Sequence, residues 1–185
     1  LTNRSLTGIC QNRMNTQQKA LFSAYNETKG NLQMFESPTD INWYYRVSSY
    51  YGYRIHPITG ANALHNGVDI SLAEGTPVAA GLTGKVTTST YNDSYGNYVV
   101  IEDQDGYEIR YAHLSSRSVS TGQQIEKGEE IGKVGSTGNS TGPHLHLELL
   151  HNGECLNPLF YFETGDTMPG GDVEYSSEAA KRLVR

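Results

Sequence analysis

The 185-residue chain is poor in cysteine, with only Cys10 and Cys155. They lie far apart and form no Cys-x-x-Cys, which argues against a thiolate zinc knuckle and against a thioredoxin-like redox pair. A disulfide between them would need an oxidising compartment and a close approach that spacing does not give, so a bridge and two free thiols both stand. Long apolar runs are missing as well. No stretch approaches the roughly 20 residues of a membrane span, and residues 1–20 are too polar for a signal peptide. Basic residues are outnumbered, 14 Lys and Arg against 20 Asp and Glu, for a formal net charge of -6. With no basic run and no aromatic-basic interleaving, nothing favours a nucleic-acid partner. The length fits one domain with attachments, or at most two small ones, and suffices to bury a core without staples. Because it opens on Leu1 rather than Met, the chain reads as a processed or excised piece.

Three textures follow one another. Residues 1–44 form an N-terminal segment, with a packing or linker helix expected from about residue 16: Thr16 is a candidate cap, Leu21, Phe22 and Tyr25 make an apolar stripe, and Gly30 ends it. Ser37-Pro38-Thr39-Asp40 is a turn into the main domain. Residues 45–162 are all-β in pattern, with strands predicted at 68–72, 77–80, 84–90, 98–102, 108–114, 130–134 and 144–150. Asp105-Gly106 and Asn152-Gly153 read as hairpin turns. The expected product is an antiparallel sheet or sandwich with strand ends gathered at one rim. Residues 163–185 are a linker, Gly165 to Gly171, and the capped start of a helix that implies a further domain in the full protein.

Six histidines are present, and four fall in three places that share a pattern. In a strand, residues two apart face the same way, so His144, His146 and Glu148 would share one face while Leu145, Leu147 and Leu149 enter the core. His65 and Asp69 occur in Leu64-His65-Asn66-Gly67-Val68-Asp69-Ile70, and His113 follows the alternating run Arg110-Tyr111-Ala112. A catalytic zinc site uses three protein ligands and keeps a fourth position for water. Imidazole and carboxylate suit zinc. His65, Asp69 and one of His144 and His146 would supply the set, leaving two histidines to handle protons or stabilise an oxyanion.

These residues resemble the lysostaphin-type (LytM-like) zinc endopeptidases of bacterial cell walls. Tyr51-Gly52-Tyr53-Arg54-Ile55-His56-Pro57-Ile58-Thr59-Gly60 is similar to that family's entry segment, and His65-Asn66-Gly67-Val68-Asp69-Ile70 to its first metal motif. Gly75-Thr76-Pro77-Val78 and Gly84-Lys85-Val86 resemble its early strands. Gly135-Ser136-Thr137-Gly138-Asn139-Ser140-Thr141-Gly142-Pro143-His144-Leu145-His146 resembles its most recognisable signature, and Asn157-Pro158-Leu159 its exit. The resemblance covers residues 48–162. It implies a mainly β fold of the duplicated-hybrid-motif kind and one Zn2+ per chain, held by His65, Asp69 and His146. It implies that His144 and His113 are the catalytic non-ligand pair, with His144 the leading general base and His113 stabilising the tetrahedral intermediate or sharing proton transfer. A peptidoglycan peptide substrate follows, and with it an extracellular or wall-associated location.

Other polar residues have plainer readings beside the functional ones. His56 suits a structural or groove-edge place. Tyr53 and Tyr111 could line a groove, though strand tyrosines more often pack. Glu148 either orients an imidazole or is a surface carboxylate. His151 adjoins a turn and is expected to be solvated. The glycine-rich loop 135–142 lacks the Gly-Lys-Ser/Thr ending and leads into a strand, so it is not a phosphate loop. Two other function classes compete with hydrolysis. One is a catalytically silent wall-binding or hydrolase-activating module of the same fold, against which the complete ligand set argues. The other is phosphoryl transfer on paired histidines, which has no use for the carboxylate at Asp69.

Overall fold

The computed structural model describes residues 34–55 and 62–163. Its twelve strands are β1 (Val47–Ser49), β2 (Gly52–Ile55), β3 (Asn62–His65), β4 (Gly67–Ile70), β5 (Pro77–Ala79), β6 (Gly84–Asn92), β7 (Gly96–Glu102), β8 (Tyr107–Arg117), β9 (Gln124–Ile125), β10 (Glu130–Val134), β11 (Leu145–His151) and β12 (Glu154–Leu156). Ten of them form one antiparallel sheet in the order β1-β4-β11-β8-β7-β6-β9, with β12 on β11, and β10 joining β5 to β8. β2 and β3 make a separate ribbon. The expected antiparallel β architecture is present. The predicted helix lies within 1–33, outside the described residues, and so do Cys10 and the tail from 164. Among the described residues the only helical turns are the 3-10 turns Tyr44–Arg46 and Pro158–Phe160.

Alternation explains the sheet. Leu145, Leu147 and Leu149 of β11, Val68 and Ile70 of β4, and Ile109 and Tyr111 of β8 are all fully buried, with 0% exposure. Emptying one such position, as in Leu147→Ala, would cost about 2–5 kcal/mol through lost transfer energy and the cavity left behind. The Asn152-Gly153 turn has φ of 51° and 84° and pairs Leu150 with Cys155 and His151 with Glu154, the two-residue hairpin its sequence predicts. Gly106 at φ 81° turns β7 into β8.

Residues 34–43, read from sequence as part of the N-terminal segment, are packed against the sheet. Phe35 is 1% and Trp43 0% exposed. Phe35 bridges Phe162 in parallel, and the Trp43 Nε1–H donates to the Glu163 carbonyl at 3.0 Å. These aromatics stand singly on either side of the Ser37–Asp40 turn, so no periodicity announces them.

The register across three neighbouring strands positions the polar face. On β11, His146 lies opposite Asp69 of β4 and Ala112 of β8, and Glu148 lies opposite Gly67 and Arg110. The face that does not enter the core therefore gathers carboxylates and imidazoles from strands far apart in sequence.

Candidate metal centre

His65 ends β3, and after the single residue Asn66 the chain returns as β4 with Asp69. His65 Nδ1–H donates to the Tyr50 carbonyl at 2.9 Å. A carbonyl can only accept, so Nδ1 keeps its proton and Nε2 is the nitrogen turned towards the other two donors. It lies 3.2 Å from Asp69 Oδ1 and 3.3 Å from His146 Nδ1, and the last two atoms are 2.6 Å apart. Donors about 2.0–2.1 Å from a tetrahedral ion stand roughly 3.3 Å from each other. Two of the three separations match that spacing, and the third is drawn in by a charge-assisted hydrogen bond. One carboxylate and two imidazoles converging this way could hold a metal ion.

Electrostatics bind the group together. Burial alone pushes the Asp69 carboxyl up, but hydrogen bonds and charge from His146 and His65 outweigh it and hold the group well below the usual carboxylate range. Burial opposes protonation of His146, yet Asp69 and Glu148 carry it up to about 9. The His146 Nε2–H donates to Glu148 Oε1 at 2.9 Å.

His144 and His113 flank this group, their ring centroids 4.7 Å apart. His144 Nδ1–H donates to the Gly142 carbonyl at 2.8 Å, and its Nε2 is 3.9 Å from Asp69 Oδ1. His113 Nδ1–H donates to the Thr137 carbonyl at 2.8 Å. Burial and the neighbouring charge of His144 and His146 hold His113 below the ordinary imidazole range, against the Thr137 bond. In each ring Nδ1 is engaged by a carbonyl, and Nε2 is the nitrogen left for another partner. His144 joins β11 only through a bridge to Gly135.

Strict alternation would send His113 into the core with Ile109 and Tyr111. A bulge prevents this. Between Val99 and Asn97 of β7 the partner strand advances from Tyr111 to Leu114, one residue more, and His113 has φ 61°. Such bulges re-aim side chains, and a non-glycine residue at this φ is held only by its surroundings. Here its N–H donates to the Tyr95 carbonyl at 2.8 Å and its ring to Thr137. The loops supplying these acceptors interlock through Gly96 and Gly138, at φ 64° and 72°. A Cβ on Gly138 would stand 2.2 Å from the Gly96 nitrogen. Gly138→Ala should therefore lower stability by roughly 1–3 kcal/mol through backbone strain and shift the Thr137 carbonyl. A denaturant melt together with a turnover assay checks both effects, and an unchanged variant would mean the interlock does not matter.

The cleft around the group has a volume of about 470 Å³. Ser94, Asn139, Ser140 and Thr141 give it a neutral polar wall, and Leu64 an apolar lip. Tyr53 is not in that lining; it is 64% exposed on β2, directly opposite Leu64. His56 lies outside the described residues. Tyr111 is no groove residue but core, fully buried, its hydroxyl accepting from the Gly81 N–H at 2.7 Å. His151 stacks on Tyr107, with centroids 4.1 Å apart. Glu148 is 2% exposed rather than a surface carboxylate. Sequence reasoning missed Tyr95 and Arg110, which both bond Glu148. Arg110 precedes His113 by three residues, but only the strand register shows that it faces Glu148.

The sequence model of Peptidase family M23 matches residues 63–158. The DD-carboxypeptidase/endopeptidase Mpg of Neisseria meningitidis serogroup B is 48% identical over 116 residues, 63% of this chain and 27% of that protein. The peptidoglycan DD-endopeptidase ShyC of Vibrio cholerae is 45% identical over 123 residues, 66% of this chain and 28% of that protein. The chain thus spans about a quarter of the length of these curated relatives. Among solved structures, a zinc-containing peptidase from Vibrio cholerae is similar at a TM-score of 0.60 and 34% identity, covering 69% of this chain and 40% of that one. The catalytic domain of the antimicrobial peptidase lysostaphin from Staphylococcus simulans is similar at 0.54 and 34% identity, covering 60% and 86%. With the His-Asp-His group inside the matched residues, the chain belongs to peptidase family M23.

Proposed function

We propose that this chain is a zinc metallo-endopeptidase that cuts peptide bonds in peptidoglycan stem peptides or cross-bridges, at a wall-facing location. The observation that carries it is the convergence of His65 Nε2, Asp69 Oδ1 and His146 Nδ1 beside two further imidazoles in an open cleft. One Zn2+ per chain would be held by those three atoms. The names of the relatives, a DD-carboxypeptidase/endopeptidase at 48% identity and a peptidoglycan DD-endopeptidase at 45%, support a D,D-peptide bond as the target. The catalytic unit in this proposal begins at residue 34 rather than 45, because Phe35 and Trp43 belong to its core. The segments on either side serve as attachments within a larger modular hydrolase.

Zinc, when bound, supplies Lewis acidity and brings the pKa of a water towards about 7. The chain's own residues then manage protons. With both Nδ1 protons donated to carbonyls, His144 and His113 start as acceptors at Nε2. His144, nearer Asp69, takes the proton of the attacking water. His113, kept neutral by its surroundings, is the second proton carrier and serves the leaving amine. The neutral hydroxyl and amide wall of the cleft hydrogen-bonds the peptide backbone.

The test is metal content together with release of soluble muropeptides from purified peptidoglycan, before and after chelation and zinc add-back. The expected result is about one zinc per chain and cleavage that stops with chelator and returns with zinc. Mass spectrometry of the products then names the bond. Zinc uptake without cleavage of any wall type would support the silent binding module instead.

A further inference from the structure

Behind His146 lies a polar set whose members come from three strands or loops. Glu148 Oε1 accepts from His146 Nε2–H at 2.9 Å and from the Tyr95 hydroxyl at 3.0 Å. Its Oε2 accepts from Arg110 Nη1 at 2.6 Å. Arg110 Nη1 also reaches the Tyr95 hydroxyl at 3.1 Å, Nη2 donates to Glu108 at 2.9 Å, and the guanidinium carbon sits 5.1 Å from the Tyr95 ring centroid. The carboxylate is thus buried, fully bonded and paired with a cation on the side away from the imidazole.

We infer that Glu148, Arg110 and Tyr95 are positioning residues that orient His146 so that Nδ1, not Nε2, meets the metal. This rests on the proposal that His146 is a ligand. A neutral imidazole carries its one proton on either nitrogen, and the hydrogen bond at one nitrogen decides what the other can do. An acceptor fixed at Nε2 holds the proton on that nitrogen, so Nδ1, which faces Asp69 and His65, is the nitrogen that would give up its proton to a metal, and the carboxylate at Nε2 would make the imidazole a better donor. Glu148 can act so only if its own two oxygens are held. Arg110 fixes one through a charge-assisted bond, and Tyr95 fixes the other. Tyr95 has a second task, because its main-chain carbonyl accepts from the His113 N–H. One residue therefore ties the ligand histidine and a non-ligand histidine to the same loop.

The experiment uses the whole chain. Zinc affinity is measured by competition with a chromophoric chelator, and the coordination geometry is read from the visible absorption of the Co2+-substituted protein. Glu148→Gln is expected to weaken zinc binding about 10–100-fold and to change the Co2+ spectrum. Arg110→Met should weaken binding in the same direction, and Arg110→Lys should restore part of the loss, a rescue that lost packing alone would not give. Unchanged affinity and spectrum in folded Glu148→Gln, while the parent chain binds zinc, overturns this inference alone. If circular dichroism shows that Glu148→Gln does not fold, Tyr95→Phe decides, since it removes a single hydroxyl; unchanged affinity there has the same force. A parent chain that takes up no zinc overturns the ligand proposal and this inference with it.

Discussion

Asp69→Ala is expected to remove metal binding and peptide cleavage together. Asp69 Oδ1 is the shared partner of His65 at 3.2 Å and His146 at 2.6 Å. Without it two imidazoles remain, and they lose the charge that draws them in. Only two donors would then face the metal position, where three are usual. Several kcal/mol of charge stabilisation go with the ion, which corresponds to a fall in kcat/KM of more than about a thousandfold. His146→Ala should behave alike. The fold should survive in both variants, because the core uses the opposite faces of β4 and β11. Elemental analysis and muropeptide release on the same preparations check this outcome; retained turnover in either variant would sink the ligand assignment.

His144→Ala is expected to separate the two properties, with zinc retained and turnover reduced about 10²–10⁴-fold, the usual contribution of a positioned base. Its Nε2 stands 3.9 Å from Asp69 Oδ1, whereas His146 Nδ1 stands at 2.6 Å. It also lies just before β11, so its removal leaves the register of that strand intact. A variant that loses zinc would mean that the two histidines have exchanged roles.

How far the sequence could lead is clear from β11 and β8. Along β11, alternation alone separates the buried leucines from His146 and Glu148, because nothing interrupts the pleat. The Asn152-Gly153 turn was equally legible, since its backbone demands residues that tolerate positive φ. Along β8 the same rule fails. His113 would belong to the core face, and only the bulge and its φ of 61° turn it to the cleft. A bulge answers to pairing with β7 and β10, which no local window contains. Arg110 and Tyr95 escaped notice for the same reason: their partner Glu148 lies 38 and 53 residues away. Short strands such as Val47–Ser49 carry too few residues for a period to show. Phe35 and Trp43 are solitary aromatics whose burial depends on the distant segment around Phe162.

The order of strands across the sheet has a bearing on how the protein comes into being. β11 lies between β4 and β8, yet it is the last of the three to leave the ribosome. Until residue 146 has emerged, β4 and β8 present unpaired edges to one another's vacant neighbour position, and such edges invite wrong partners. The donors that meet at the centre are separated by 77 and 81 residues of chain, so closing the group is a long-range event that carries a large loop-closure cost. No fragment that stops short of β11 holds three donors. One central strand thus links β4 to β8, carries three buried leucines and supplies the third donor of the group. A chain that stops before β11 therefore lacks both the strand that joins β4 to β8 and the third donor of the group.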